Sequence, residues 1–570
     1  MRQDLSIMLP EWRLAAAFVA PNRLRENLSN KAPGRRNDHR IIDNQAGRSL
    51  RTFVSGMMNG ATPRARPWFN LTTNDIAKAN TSSARKYFSK VEGIINNHFQ
   101  VSNLYRVLPL AYKDVGVFSN SAFAMLPHVR YGFWFYPFAI GTYAFACDAE
   151  GNTNTFTRDF SLSVKQVVDQ YAHLTKTGHI DYANIPNWIE DHYKASRFLE
   201  VVVLTTVIIP NGNYNPIKLS LNAYDKKFIS YTYIQSGGAG LPPQSSSGFR
   251  NENSSGKSEF IKCSGFDYFP IITPRWEVQA EENYGVDGPT QIALSDIMAF
   301  QEMEKARLVG VDKLLRPPMV GHASLRRHQA SILAGGITYV DDQGALAGFK
   351  PAFEVDPRMS ELLLTQDKYS NSIRQSYFED LFLMLSSEKT VSHVSAREID
   401  EKASEKMTAL APALGQLDQD LNSKIIENAQ IILEVAKRMP AKPKELEGEQ
   451  LRPEYISIIA QAAKVSMMNS MERALNFASS VSQMNQDPSL LKLINSEMAI
   501  RQYMDYVALD PILIRDEDEF EEIQKEISAQ NQQQLEAQQD MQQASAAKDL
   551  SAAKVGQGSL LDTLLTASEV

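Results

Sequence analysis

The sequence predicts an α+β protein, mainly helical. Apolar residues return at helical spacing over long stretches, as in Ala293, Ile297, Phe300, Leu308, Val311 and Leu315, which fall on one face of a 3.6-residue period. Against that background, Glu200-Val-Val-Val-Leu-Thr-Thr-Val-Ile-Ile209 is a β-branched run closed by Pro210-Asn-Gly-Asn213, the composition of a strand entering a turn. A polar stretch, Ser386 to Val394, sits between two helical patterns and is capped on its far side. With 570 residues, the chain exceeds one simple core, so several modules or one elongated subunit are expected.

In chain order, residues 1 to about 130 read as helices separated by polar turns, with Asn70-Leu-Thr-Thr-Asn74 and Asn80-Thr-Ser-Ser83 as caps. From Trp134 to Ile209 the pattern shifts to strands, and after the turn at Pro210 it continues into Ile217-Lys-Leu-Ser-Leu221. Gly237 to Ser258 is rich in Ser, Gly and Pro and reads as an exposed loop. Asn283-Tyr-Gly-Val-Asp-Gly-Pro289 is a turn cluster that opens a helix, with proline at the first helical position, where its missing N–H costs nothing. That helix stops at Arg316-Pro-Pro318, and a short strand-like module follows, with turns at Gly335-Gly336 and Asp341 to Gly344.

Asp356-Pro357 starts a second helix, whose Tyr369, Ile373, Tyr377, Leu381 and Leu385 recur every fourth residue on one face up to the polar loop. Past the loop, Ser395-Ala-Arg-Glu398 is an S-x-x-E capping box, flanked by Val394 and Ile399 as a hydrophobic staple. The helix it opens carries Leu414, Leu417, Leu421 and Ile425 and ends near Met439-Pro440. Helical stretches follow at Tyr455 to Met484 and Pro488 to Ala508. The last segment begins with the acidic run Asp516-Glu-Asp-Glu519 and turns Gln-rich. Such a stretch forms a marginal helix alone and a better one in a bundle.

Composition narrows the function. A hydrophobic fraction of 43% and a charged fraction of 22% are those of an ordinary soluble folded protein. Two cysteines, Cys147 and Cys263, supply neither a disulfide framework nor a metal cluster. Met1-Arg-Gln-Asp-Leu-Ser6 has no apolar core, so no signal peptide is expected. The apolar run Tyr131 to Cys147 is too short and too interrupted by Gly and Pro to span a bilayer and reads as buried β structure. Gly256-Lys257-Ser258 mimics the end of a phosphate-binding loop, but Asn251 stands where that pattern needs glycine. No set of residues can be given the roles of nucleophile, base or metal ligand, so neither enzyme activity nor a cofactor is expected. The net charge of −7 does not suit a protein that grips duplex DNA over its whole surface. Either DNA is no partner, or it is one that must pass without being held.

Three blocks carry a resemblance. Asp43-Asn-Gln-Ala46, Val54-Ser-Gly-Met-Met58 and Thr62-Pro-Arg-Ala-Arg-Pro-Trp-Phe69 form the first. Ala293-Leu-Ser-Asp296, leading through Lys305 and Lys313 to Pro317-Pro318, is the second. The third is Met384 to Ile399 with Glu405-Lys406 and Leu410-Ala-Pro412. In this order they resemble the portal proteins, the head-to-tail connectors of short-tailed, podovirus-type bacteriophages. The resemblance reaches to about residue 520.

That resemblance implies the portal fold of wing, stem, clip, tunnel loop and crown, assembled as a ring of about twelve copies, a dodecamer. On this chain the wing would be 1–288, the stem helices 289–316 and 357–385 and the clip 317–356. The tunnel loop would be 386–394, the wing helix 395–440, the crown 441–515, and the Gln-rich tail 516–570, barrel-like or flexible. It implies a channel for packaging and ejecting double-stranded DNA at the capsid vertex of the virion, assembled in the host bacterial cytoplasm. The implied partners are other copies of the chain, the major capsid protein, the large terminase subunit (the packaging ATPase), a tail adaptor protein and weakly held DNA, without membrane insertion. The runner-up is a head–tail adaptor or internal scaffold that forms no channel.

The tunnel loop would place Ser386, Ser387, Glu388, Lys389, Thr390, Ser392 and His393 toward DNA, with Ser395 and Glu398 fixing the loop. Lys389 and His393 are the DNA-facing candidates; equally, Glu388 and Lys389 pair with each other or face water. In the clip, Lys313, Arg316, Arg326 and Arg327, with Lys305 and Arg307, meet only Asp312 between residues 305 and 330. A basic ring there would dock an acidic partner or meet entering DNA; the alternative is a solvated surface with weak intersubunit pairs. Arg64 and Arg66 are candidates for pairing across a subunit interface, and Trp68 for the wing core.

Overall fold

A computed structural model describes residues 1–25, 40–79, 81–174, 180–182, 185–215, 222–234, 260–280, 282–315, 319–320, 350–351, 359–386, 410, 412–446, 448, 451–455, 471–481, 498–500, 503–504 and 517–552. The chain divides into two compact units. The first comprises Met1–Thr72, Lys90–Ala441 and Arg452–Ala463; the second comprises Thr73–Ser89, Lys442–Leu451 and Lys464–Val570.

The first unit is built around one buried helix. Helix α5 (Leu104–Phe118) is mostly apolar, and Leu104, Val107, Leu108, Ala111, Tyr112, Val115 and Phe118 are each at most 2% exposed, so most of its circumference is buried while Arg106 reaches solvent. Helix α1 (Arg2–Val19) turns Trp12, Ala15, Ala16 and Val19 inward at helical spacing, and α2 (Gln45–Gly60) turns in Leu50, Phe53 and Met57. Helix α4 (Ser82–Val101) contributes Val91, Ile95 and Phe99 to the same interior.

Two antiparallel sheets adjoin these helices. One has the order β11–β2–β3 (Ile271–Ile272, Phe123–His128, Gly132–Pro137). The other has the order β10–β9–β8–β5–β4 (Lys262–Phe266, Phe228–Ile234, Val201–Pro210, Thr153–Ser163, Tyr143–Cys147). Strand β8 is the predicted β-branched run, and it pairs from Val201 opposite Ser163 to Ile208 opposite Phe156. Between β5 and β8 the chain forms α6 (Val164–Tyr171) and α7 (Asn187–Lys194), whose Val167, Val168 and Ile189, with Ile185 just before α7, share a core with Val202 and Leu204. A capping box not foreseen from the sequence starts α6: the Gln166 amide donates to Ser163 Oγ at 3.4 Å, and the Ser163 amide donates to Gln166 Oε1 at 2.9 Å.

The apolar run Tyr131 to Cys147 is the β3–turn–β4 segment, with Phe133, Phe135 and Phe145 buried. Among the described residues no helix is long and apolar enough to cross a membrane.

Several expectations need correction. Asn70-Leu-Thr-Thr73 is no cap but part of strand β1 (Phe69–Thr73), which buries alternate residues in the period-2 pattern of a half-buried strand. The second long helix is not continuous to Leu385. It is α9 (Met359–Ser376) and α10 (Glu379–Ser386), separated at Phe378, whose φ of +55° is left-handed. The four-residue spacing survives the break, since Ile373, Tyr377 and Leu381 are all buried. The helix after the loop contains a π-helical turn at Asp418–Ser423 before Lys424–Val435. Tyr455 ends a strand, Leu451–Tyr455, rather than opening a helix. The stretches 217–221 and 237–258, the latter holding Gly256-Lys257-Ser258, lie outside the described residues.

In the second unit, residues 471–481 are helical. The Gln-rich segment is one helix of 36 residues, Glu517–Ala552, with Ile527 and Met541 largely exposed. An exposed helix of that composition has little packing of its own to stabilise it.

Candidate functional site at the root of the helical hairpin

Helix α8 (Pro289–Leu315) spans 27 residues, about 40 Å at 1.5 Å per residue. Pro289 takes the first helical position and the helix stops before Arg316-Pro-Pro318, as the sequence signals predict. Helix α9 returns antiparallel along it. Thr290 meets Tyr377, Asp296 meets Ser372, and at the far end strand β14 (Met319–Val320) pairs with β15 (Lys350–Pro351). The helix contacts and the strand pairing are both antiparallel, the sense of a hairpin.

The root is fixed by buried polar bonds, each satisfying a group that would be costly to leave alone in the interior. Thr290 Oγ1 donates to Gly116 O at 2.7 Å, and Tyr377 Oη lies 2.6 Å from the same hydroxyl. Ser372 Oγ donates to Asp296 Oδ2 at 2.5 Å. Burial pushes the Tyr377 phenol well up, so it stays protonated and able to donate. Upstream of α8, Ser119 adopts a φ of +60° and its Oγ accepts from the Gly288 amide at 2.9 Å while donating to Gln291 Oε1.

The first block of the sequence resemblance lies against this root. Gln301 Oε1 accepts from the Ile42 and Asp43 amides at 2.7 and 3.1 Å, and its Nε2 donates to Asp43 O at 2.7 Å. One buried glutamine thereby reads the backbone of the chain entering α2. From α2, Gln45 Nε2 donates to Ser49 Oγ, which donates to Glu379 Oε2 at 2.6 Å. Gly56 leaves the space that the Phe382 ring of α10 occupies, and Phe53 packs edge-on to both Phe382 and Trp276. Helix α10, which leads into the polar loop, is thus seated on α2.

Below the root, Arg275 and Asp420 are 2% and 8% exposed and paired twice, Nε to Oδ2 at 2.7 Å and Nη2 to Oδ1 at 3.0 Å. Arg275 also donates to Gly151 O, Asn283 O and Cys147 Sγ. Burial pulls its pKa down, but the hydrogen bonds and charge of Asp420 outweigh that and leave it raised, so the guanidinium stays ionised. Burial likewise lifts the Cys147 thiol, which suits a packing and hydrogen-bonding role rather than a reactive one.

The hairpin's outer surface is different. Ile292, Met298, Leu308, Val309, Leu363 and Leu364 stand exposed along it, Leu364 to 70%. A run of that kind on an extended hairpin marks an interaction surface more often than a monomer's exterior.

Of the residues singled out from the sequence, Ser386 is the last residue of α10 and Lys313 lies in the final turn of α8. Ser387, Glu388, Lys389, Thr390, Ser392, His393, Ser395, Glu398, Arg316, Arg326 and Arg327 lie outside the described residues. Lys305 and Arg307 have acidic neighbours one turn back, Glu302 at 3.9 Å and Glu304 at 2.8 Å, so the basic stretch is partly neutralised from just outside its bounds. Trp68 is buried as expected and stacks on Phe99 at 5.8 Å. Arg64 bonds Gln100 within its own chain. Gln301, Glu379, Arg275 and Asp420 went unpredicted; only Ala293 to Asp296 and Asp43 to Ala46 hinted that these segments matter. Among the described residues no cluster of His, Cys, Asp or Glu could hold a metal ion.

Residues 1–514 match the model of the family described as bacteriophage head to tail connecting protein. The chain belongs to that family. This head-to-tail connecting protein is 29% identical over 557 residues to the portal protein of Salmonella phage epsilon15, covering 98% of this chain and 94% of that one. It is 25% identical over 536 residues to the probable portal protein of Bordetella phage BPP-1, covering 93% and 90%. A chain from the virion of a native gene transfer agent particle superposes with a TM-score of 0.27 at 11% identity, over 70% of this chain and 98% of that one.

Proposed function

We propose that this head-to-tail connecting protein is a phage portal protein, whose copies close into a ring of about twelve around a channel for double-stranded DNA. Its two full-length relatives are portal proteins, or probable ones, of phages. The observation that carries the reading is the hairpin: rooted by Thr290, Tyr377 and Gln301, yet with Leu308, Val309, Leu363 and Leu364 exposed among its polar residues. In a ring each hairpin would pack on the next, burying Leu308, Val309, Leu363 and Leu364 and making a stem.

On that reading residues 386–394 form a loop toward the channel, held by Ser395 and Glu398, and 317–356 form the clip where packaging ATPase and tail adaptor dock in turn. The net charge of −7 per subunit, multiplied round a ring, gives a wall along which a polyanion slides. The work is geometric and electrostatic, with no chemical step, and the ring sits at one vertex of the capsid. The protein is tested by native mass spectrometry and electron microscopy of the purified chain. Closed rings with a central channel are the expected result. Monomers or dimers alone, across ionic strengths, overturn the proposal in favour of a non-channel adaptor or scaffold.

A further inference from the structure

A second polar site lies in the first unit, away from the hairpin. Just before β4 begins, beside residues 158–161 of β5, a groove of about 370 Å³ opens. It is lined by Arg25, Ala139, Thr142, Arg158, Asp159, Phe160 and Ser161. That volume reaches the lower end of small-ligand pockets.

The walls are built rather than incidental. The Asp159 amide donates to Thr142 O at 2.8 Å, and Thr142 Oγ1 donates to Ala139 O at 2.7 Å. Leu24 bridges Ile140 in parallel, and the Arg25 amide donates to Ile140 O at 2.9 Å. Gly141, at a φ of +87°, lets the Arg25 carbonyl approach; a Cβ there would lie 3.0 Å from that oxygen. The backbone of Arg25 is therefore held at the rim.

The charges in the groove do not balance. Asp159 is already satisfied, since Arg2 Nη2 donates to both its oxygens at 2.8 and 3.0 Å and Thr205 Oγ1 donates to Oδ1 at 2.7 Å. Arg158 lies over the rings of Phe138 and Phe160, its guanidinium carbon 4.1 and 5.2 Å from their centroids. Among the described residues no carboxylate pairs with Arg158 or Arg25, and Arg158 Nε is buried without a hydrogen-bond partner. Burial pushes the Arg158 pKa down to about 10, the mark of a cation short of a counter-charge. A desolvated guanidinium with no anion is costly, and Arg158 is one; Arg25, exposed at the rim of the same groove, adds a second positive charge beside it.

We propose that this groove binds a doubly charged oxyanion, free phosphate or the terminal phosphate of a monoester, held by Arg158 and Arg25. Guanidinium forks match phosphate oxygens in pairs, and two uncompensated cations match a dianion, whereas one carboxylate would leave an arginine unpaired. The rings of Phe138 and Phe160 pack against the Arg158 guanidinium and help hold it in place. Ser161 also lines the groove, and the remaining volume admits the organic part of a monoester.

The test is isothermal titration of the full-length protein with inorganic phosphate, a nucleoside 5′-monophosphate, acetate and a short DNA duplex, at matched ionic strength in chloride. Saturable binding of phosphate, of the monophosphate or of both, with acetate at least about tenfold weaker, supports the proposal, and the tighter of the two names the source. Arg158→Gln should weaken that binding about tenfold or more, and Arg25→Gln, at the exposed rim and unable to disturb the sheet, should weaken it several-fold. No binding of either phosphate, equal binding of acetate, binding of the duplex alone, or unchanged affinity in Arg25→Gln and Arg158→Gln would each overturn it. The site stands or falls independently of ring formation.

Discussion

Thr290 and Tyr377 share a buried contact of 2.6 Å between their hydroxyls, and through it the first turn of one hairpin helix is tied to the residue just past the end of the other. The same threonine donates to the Gly116 carbonyl at 2.7 Å, so the central buried helix, the start of α8 and the end of α9 meet at one oxygen. Position and direction of the hairpin are decided there.

Removing either hydroxyl should therefore cost unequal amounts. Tyr377→Phe leaves Thr290 bonded to Gly116 and should cost about 1 kcal/mol, the net value of one hydrogen bond. Thr290→Val strands both the Gly116 carbonyl and the Tyr377 hydroxyl and should cost up to about 3 kcal/mol. Urea denaturation of both variants measures the order; equal losses would show that the Gly116 bond contributes nothing.

The Arg275–Asp420 pair makes a sharper case. Asp420→Ala abandons a guanidinium that is 2% exposed and should destabilise by about 3–5 kcal/mol. The double replacement Arg275→Met, Asp420→Leu removes both charges and should recover most of that loss, because the desolvation cost goes with them. Chemical unfolding midpoints of wild type, single and double variants decide it.

Asp418 gives a pH dependence with a definite sign. Burial raises its pKa from 3.8 to about 6, against a smaller lowering by the Asn422 hydrogen bond. Between those values the folded protein holds the proton and the unfolded chain has released it, so this group's contribution to stability falls as pH rises from about 4 to 6. Asp418→Asn abolishes the step. Its stability relative to wild type should rise across that window and level off above it, read from urea midpoints at half-unit intervals; a flat difference would rule the titration out.

Gly56→Ala tests the seating of α10. The added methyl would occupy the space of the Phe382 ring, an overpacking that should cost about 1–3 kcal/mol. Hydrogen exchange should quicken in Glu379–Ser386 while α5, the central buried helix, which packs on a different face of α2, keeps its protection. Phe382→Leu in the same chain should restore part of the protection. If exchange is unchanged, α10 does not depend on α2.

The polar loop has its own test. Losing the cap in Ser395→Ala, Glu398→Ala should cost about 1 kcal/mol, too little to unfold the chain. Rings should assemble, but DNA packaging or retention should suffer in a complementation assay. Lys389→Ala should do less, because a sliding contact must be weak. Wild-type packaging by the double variant would show that the loop does not govern DNA passage.

By itself the sequence determined the elements that local chemistry decides. Pro289 and Pro317-Pro318 mark where α8 begins and stops, because proline tolerates the first turn and ends a helix it follows. The β-branched run at Val201 is a strand because such side chains suit a pleated, half-buried surface. Periodicity also named Ile373, Tyr377 and Leu381 as buried, and the three blocks named the family. Tertiary structure alone decided the break at Phe378, where a left-handed residue redirects the chain although the apolar spacing runs through unbroken. It alone joined Arg275 to Asp420, 145 residues apart, and Gln301 to the Asp43 backbone. A buried polar group must find a partner, but which one depends on what the fold brings near. No periodicity records it.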